Sequence, residues 1–253
     1  MNFGNLVPWL LLGGGAAALG LGASWLVEGA SRLAIRLGIS PMVVGLTVVG
    51  FGTSMPEFSV SVLAAIRGSA DLSLGNAVGS NIMNLLLVLG AAALVAPIHI
   101  VGARRVLLRD LVCGLLPPAL LMALAWDGRI SRGTACLLLA VFAGFLWLAI
   151  SQAKRVDTTE TIVRGSMAAH LGLTLVGIAI LVLGSEMLVR GGVEIARRFE
   201  VSEAVIGLTL VAFGTSLPEL ATSVTAVLKG ESEIGVGNVL GSNIFNLGAV
   251  VGL

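Results

Sequence analysis

One polar motif recurs, in register, inside two apolar stretches, and this restricts the fold more than any other feature of the chain. GLTVVGFGTSMPE runs from Gly45 to Glu57 and is followed by GNAVGSNIMN from Gly75 to Asn84. GLTLVAFGTSLPE runs from Gly207 to Glu219 and is followed by GNVLGSNIFN from Gly237 to Asn246. Gly207 stands 162 residues after Gly45, the offset holds throughout, and about half of positions 41–90 recur identically. Each copy sets a carboxylate, hydroxyls, amides, glycines and a proline into an apolar run. In a bilayer such groups are costly and mark an ion or substrate path. Their duplication points to a transporter built from two halves.

Composition places the chain in a membrane. With 57% hydrophobic and 11% charged residues, too few polar side chains remain to cover a water-soluble surface. A net charge of +1 gives no reason to expect nucleic acid as a partner. Apolar runs of spanning length fall at 6–37, 41–66, 71–97, 105–126, 131–152, 166–198, 202–228 and 233–253, which makes eight spans. The runs 6–37 and 166–198 are long: at ~1.5 Å per residue each reaches about 48 Å, against a hydrocarbon core of ~30 Å. They must tilt or leave the bilayer. Their glycines suit either close helix packing or a smooth sliding face.

Topology follows from the repeat. Five spans separate equivalent points, an odd number, so the two copies cross in opposite directions with their shared site at the midplane. The expected fold is all-α and polytopic, with inverted repeats and helices broken at that depth. Residues 1–152 form the first repeat of five spans, 153–165 a cytoplasmic hinge loop, and 166–253 a second repeat of three spans. Two further spans are expected beyond Leu253, for ten in all. One set of loops is richer in Arg and Lys (Arg32, Arg36, Arg104, Arg105, Arg109, Lys154, Arg155, Arg164, Lys229), which makes it the cytoplasmic side and places the N-terminus outside.

Within each copy the polar groups share helix faces. Gly50, Thr53, Ser54 and Glu57 are spaced i, i+3, i+4, i+7, as are Ala212, Thr215, Ser216 and Glu219. Pro56 and Pro218 lack an N–H, which frees the carbonyls of Gly52 and Gly214. Ser80 and Asn84, and likewise Ser242 and Asn246, are i, i+4 pairs on one face of the following helix. Carboxylates, hydroxyls, amides and freed carbonyls are hard oxygen ligands. Calcium takes about six to eight of these, and sodium fewer. Taken singly, a membrane Ser or Thr more often bonds its own backbone, and Asn81 and Asn243 read as interhelical glue. Glu57 and Glu219 have no basic residue within reach in their own spans. Glu28, Glu186 and Glu194 read as interfacial, His99 and His170 as non-ligands at span ends, and Cys113 and Cys136 as packing residues. GTSMPE lacks the second glycine of a nucleophile elbow, and no enzymatic chemistry or cofactor is expected.

With these residues the sequence resembles the cation/calcium exchanger superfamily, in particular the prokaryotic sodium/calcium antiporters. The likeness rests on GxxFGTSxPE-type and GNxxGSNIxN segments, each present twice, and covers Leu21–Gly90 and Gly184–Leu253. The resemblance implies four central oxygen sites. Glu57 and Glu219 would bridge calcium, helped by Thr53 and Thr215. Sodium would use Ser54, Ser80 and the Gly50 carbonyl on one side, and Ser216, Ser242 and the Ala212 carbonyl on the other. Asn84 and Asn246 would line the middle. Some relatives carry an acid at one of those two amide positions, whereas here both are Asn.

The expected function is calcium/sodium antiport by alternating access in a prokaryotic cell (inner) membrane. Calcium and sodium are the transported ions, lipid is the surround, and no oligomer is required. Two ionised carboxylates give a formal charge of −2, which one calcium or two sodium ions cancel. The first alternative is a calcium/proton antiporter with the same glutamates as proton carriers. A cation channel is disfavoured because a filter is built around a symmetry axis rather than from an inverted repeat in one chain. A non-transporting scaffold leaves the paired acids unexplained.

Overall fold

The computed structural model describes residues 3–99, 115–126, 130–151, 153 and 165–252. Among these the chain is entirely helical. Helix α1 (Phe3–Leu37) and helix α9 (Met167–Arg198) run unbroken over the two long apolar stretches. Between them lie α2 (Pro41–Val44), α3 (Gly50–Thr53), α4 (Met55–Ile66), α5 (Ala70–Met83), α6 (Leu89–Val95), α7 (Leu115–Leu124) and α8 (Arg132–Ser151). After α9 come α10 (Glu203–Ile206), α11 (Ala212–Thr215), α12 (Leu217–Leu228) and α13 (Ser232–Phe245).

Four of these helices are long and apolar enough to cross a membrane: α1, the α5–α6 run, α8 and α9. A fifth is the pair Pro41–Thr53 and Met55–Ile66, bent by 48° at Ser54. Ser54 (φ −84°, ψ 8°) leaves helical geometry just before Met55, with Pro56 in the first turn of α4. Ser216 (φ −89°, ψ 5°) and Pro218 repeat this at the start of α12. Thus each break falls at the serine, two residues before the proline that forbids a continuous ladder. The start of the expected span 105–126, the break Asp127–Arg129 and nearly all of the hinge loop lie outside the described residues.

Sequence reasoning did not foresee the π-helical turns. They occupy Gly45–Val49, Asn84–Val88, Gly207–Val211 and Asn246–Val250, so each copy carries two at equivalent positions. A π-turn adds a residue to the helix and shifts the face that follows. Two of them end beside Gly50 and Ala212, and the other two begin at Asn84 and Asn246.

Glycine packs α1 on α9. A Cβ on Gly22 would lie 2.9 Å from the Gly177 carbonyl oxygen, and one on Gly15 would lie 2.7 Å from that of Gly184. Gly29 abuts Thr174, and Gly191 abuts Pro8. The descending order of partners makes the helices antiparallel, and the seven-residue spacing keeps the glycines on one stripe. Elsewhere α13 lies against α2, its π-turn and α3, again backbone to backbone: a Cβ on Gly45 would meet the Ile234 carbonyl oxygen at 2.7 Å. Phe51, Phe58, Phe142 and Phe245 form an aromatic cluster beside this contact, with centroids 5.0 Å apart for Phe51–Phe245.

Candidate ion site

The two broken helices converge so that each carboxylate lies in the first turn of a half-helix, Glu57 in α4 and Glu219 in α12. Helix N-termini carry partial positive charge and favour an anion there. Both side chains are completely buried. The ion pairs Glu28–Arg32, Glu186–Arg190, Arg197–Glu203 and Arg198–Glu194 lie on exposed flanks, away from Glu57 and Glu219. Glu28, Glu186 and Glu194 are therefore held by arginines one helical turn away.

Hydroxyls from the opposite copy serve the carboxylates. Ser54 Oγ donates to Glu219 Oε1 at 2.9 Å, and Ser216 Oγ donates to Glu57 Oε1 at 3.3 Å. Ser242 Oγ lies 3.4 Å from Glu219 Oε1 and 3.1 Å from the Gly50 carbonyl oxygen. The second oxygens, Glu57 Oε2 and Glu219 Oε2, are buried with no hydrogen-bond partner, and the same is true of Asn84 Oδ1 and Asn246 Oδ1. The turn that begins at Asn84 packs on α12, and the turn that begins at Asn246 packs on α4. Buried acceptors without donors are rare and costly, and a cation is one kind of partner that such oxygens can take. Among the described residues no group of three or more His, Cys, Asp or Glu could hold a metal. Beyond the two carboxylates, the oxygens gathered here are neutral hydroxyls, amides and carbonyls, which are hard but weaker ligands.

All twelve residues singled out from the sequence fall in this region, but their grouping differs from the expectation. Ser242, expected beside Ala212, is bonded to Gly50. Ser80, expected beside Gly50, lines a cavity of about 450 Å³ with Thr209, Ala212, Asn76 and Gly79. The reason is tertiary: α13 of the second copy packs on the first copy's broken helix, and α5 faces the second copy's. The two sides are also unequal. Thr53, buried, has its nearest acceptor at Asn238 Oδ1, 2.8 Å away, whereas Thr215, partly exposed, lies 3.3 Å from its own Ala212 carbonyl. The contact is thus sealed around Gly50 and open around Ala212.

Several residues were missed. Asn76 Nδ2 donates to the Glu57 carbonyl (3.1 Å) and to Ser61 Oγ (2.9 Å), and Asn238 Nδ2 to the Glu219 carbonyl (3.3 Å) and Ser223 Oγ (2.9 Å). Each asparagine is the second residue of a duplicated GN pair, a signal present in the sequence but not read. Ser185 Oγ donates to the Gly214 carbonyl freed by Pro218, at 2.6 Å. His170 is buried at the start of α9 and its Nε2 has no partner. Asn81 and Asn243 do bridge the two copies, as expected of interhelical glue.

Comparison with known proteins gives a consistent likeness. The profile of the sodium/calcium exchanger protein family matches residues 7–151 and 169–253. An inner membrane protein of Escherichia coli, YrbG, is 40% identical over 84% of this chain and 68% of its own length. Sodium/calcium exchanger MaX1 of Methanosarcina acetivorans is 29% identical over 83% of this chain and 72% of its own. A solved structure of the sodium–calcium exchanger NCX_Mj superposes with a TM-score of 0.87 at 32% identity, covering 98% of this chain and 81% of that one.

Proposed function

The chain belongs to the sodium/calcium exchanger protein family, and from that premise we propose that it is a secondary antiporter exchanging calcium for sodium by alternating access. The observation that carries this reading is the pair of buried glutamates, each with one oxygen held by a serine of the other copy and one oxygen left without a donor. An unpaired buried charge costs several kcal/mol, about enough to keep such a site from crossing the membrane without a counter-ion. One calcium or two sodium ions neutralise two ionised carboxylates equally, so competition for shared oxygens couples the two fluxes.

Calcium is bridged by Glu57 and Glu219 with Thr53 and Thr215. Sodium is taken by Ser54, Ser242 and the Gly50 carbonyl on the sealed side, and by Ser216, Ser80 and the Ala212 carbonyl on the open side. Asn84 and Asn246 supply amide oxygens between them. The grouping of the serines follows the contacts of Ser242 rather than its order in the chain.

The halves are inverted repeats, eight spans with the N-terminus outside. Reciprocal contacts support a two-fold relation: Ser54–Glu219 with Ser216–Glu57, and Gly15–Gly184 with Gly22–Gly177, each the image of the other under the 162-residue offset. The antiparallel packing of the equivalent helices α1 and α9 supports an axis across the helices, in the membrane plane. As one unit, α1 and α9 slide across the central helices to open one side and close the other.

The test is calcium-45 uptake into proteoliposomes under an imposed sodium gradient, a proton gradient or neither. Uptake driven by sodium alone is expected. Uptake driven by protons but not sodium would replace sodium coupling with proton coupling, and uptake that needs no counter-gradient would point to a channel.

A further inference from the structure

The middle asparagines of the two GSNIxN segments join the two copies and each holds a candidate ligand. Asn81 Nδ2 donates to the Asn243 carbonyl at 2.9 Å, and Asn243 Nδ2 donates to the Asn81 carbonyl at 3.4 Å. A carbonyl only accepts, so both amide nitrogens are committed to that side. Each Oδ1 must then face the other way, where it finds a donor: Asn243 Oδ1 accepts from Asn84 Nδ2 at 3.1 Å, and Asn81 Oδ1 accepts from Asn246 Nδ2 at 3.2 Å. With their nitrogens tied, Asn84 and Asn246 have only an oxygen left to present. Those oxygens are the two buried amide acceptors that have no donor.

We propose that Asn81 and Asn243 are positioning residues that set the amide polarity of Asn84 and Asn246, turning an oxygen rather than an N–H toward the transported cation. This rests on the ion-site reading above. An amide is nearly symmetric in shape, so packing alone does not choose between its two ends, but the electrostatics do. A reversed amide replaces a cation ligand with a donor of partial positive charge. The chain of commitments starts at two main-chain carbonyls, which cannot reverse. The arrangement is crossed: each asparagine orients the ligand on the opposite copy, so the polarity of both is set by one shared contact between α5 and α13.

The proposal is tested by equilibrium calcium-45 binding to the purified protein in detergent. Asn243→Leu removes the acceptor that holds Asn84. It should weaken calcium binding about tenfold. A carboxylate at position 84 has oxygens at both ends and no polarity to set. Adding Asn243→Leu to Asn84→Asp should therefore change the affinity of Asn84→Asp by less than about twofold. A merely structural role would show the same loss in both backgrounds, and that result, or no loss in either, overturns the proposal. Should Asn243→Leu fail to fold, the mirror cycle of Asn81→Leu with Asn246→Asp makes the same discrimination. Absence of calcium binding by the unaltered protein would instead refute the ion-site reading itself.

Discussion

At the residue scale the site is defined by what lacks a partner. Glu57 and Glu219 are buried to the same extent, are reached by serines from opposite copies, and each keep one oxygen unbonded. Equivalent residues with equivalent surroundings should fail equivalently. Glu57→Gln and Glu219→Gln are each expected to lower sodium-driven calcium-45 uptake by at least about a hundredfold, since removing one partner of a buried charge pair costs ~3–5 kcal/mol. Uptake near the unaltered level in either variant would dismiss a shared ion. Ser185 offers a structural counterpart. Its hydroxyl satisfies the Gly214 carbonyl, so Ser185→Ala should cost ~1–3 kcal/mol, read as a lower midpoint of thermal unfolding in detergent. No substitution of the first copy reproduces that experiment, because Ala23 stands where Ser185 does.

At the element scale the decisive contact is the glycine seam between α1 and α9. Close approach there is backbone to backbone, so no rotamer change can relieve an added side chain. Gly22→Val and Gly177→Val should each part the helices and lower stability by ~1–3 kcal/mol, measurable as a fall in melting temperature. Gly20 lies on the same helix with nothing within 4 Å of where its Cβ would be. Gly20→Ala should be neutral or raise stability by ~0.5–1 kcal/mol, because alanine is the better helix former. Equal effects at Gly20 and Gly22 would show that glycine content, not the seam, matters. The long helices α1 and α9 and both breaks were legible at this scale: apolar runs gave the lengths of those helices, and Pro56 and Pro218 located the breaks to within two residues. The π-turns were not, because an added residue in a helical turn leaves the composition and the apolar pattern of a short run almost unchanged.

At the scale of the whole molecule, a repeat that keeps its polar motif residues has two unequal sides. Helix α1 packs on α12, and the connector after α12 holds it: Lys229 Nζ donates to Ser24 Oγ at 2.7 Å, and Ser31 Oγ donates to Glu231 Oε1 at 2.5 Å. On the other side α9 stands off from α4 across a cavity of about 330 Å³ bordered by Ser59, Ser185 and Glu186. The repeat offset carries Lys229 onto Arg67 and Ser24 onto Glu186, an oppositely charged pair. Here the Arg67 side chain is exposed and Glu186 is bonded to Arg190. In the state open to the opposite face, the Lys229–Ser24 contact should break and Arg67 should meet Glu186. In a variant lacking Cys113 and Cys136, cysteines at positions 67 and 186 should cross-link with a short bifunctional reagent under some ion condition, and that link should stop exchange. Failure to cross-link under sodium, calcium and neither would remove the swap.

By itself the sequence indicated a membrane protein, related halves, the places where the helices break, and twelve oxygen-bearing residues that the fold brings to one region. These are consequences of apolar run length, helical period and proline chemistry, all of which act over a few residues. Only the tertiary structure decided that Ser242 serves Gly50 while Ser80 lines a cavity with Ala212, that Asn84 and Asn246 donate to Asn243 and Asn81 of the opposite copy, and that one side is sealed while the other is open. The duplicated motif residues carry the same local instructions in both copies, so the different contacts of Ser80 and Ser242 arise from long-range packing, where α13 closes on the first copy's broken helix and α5 does not close on the second's.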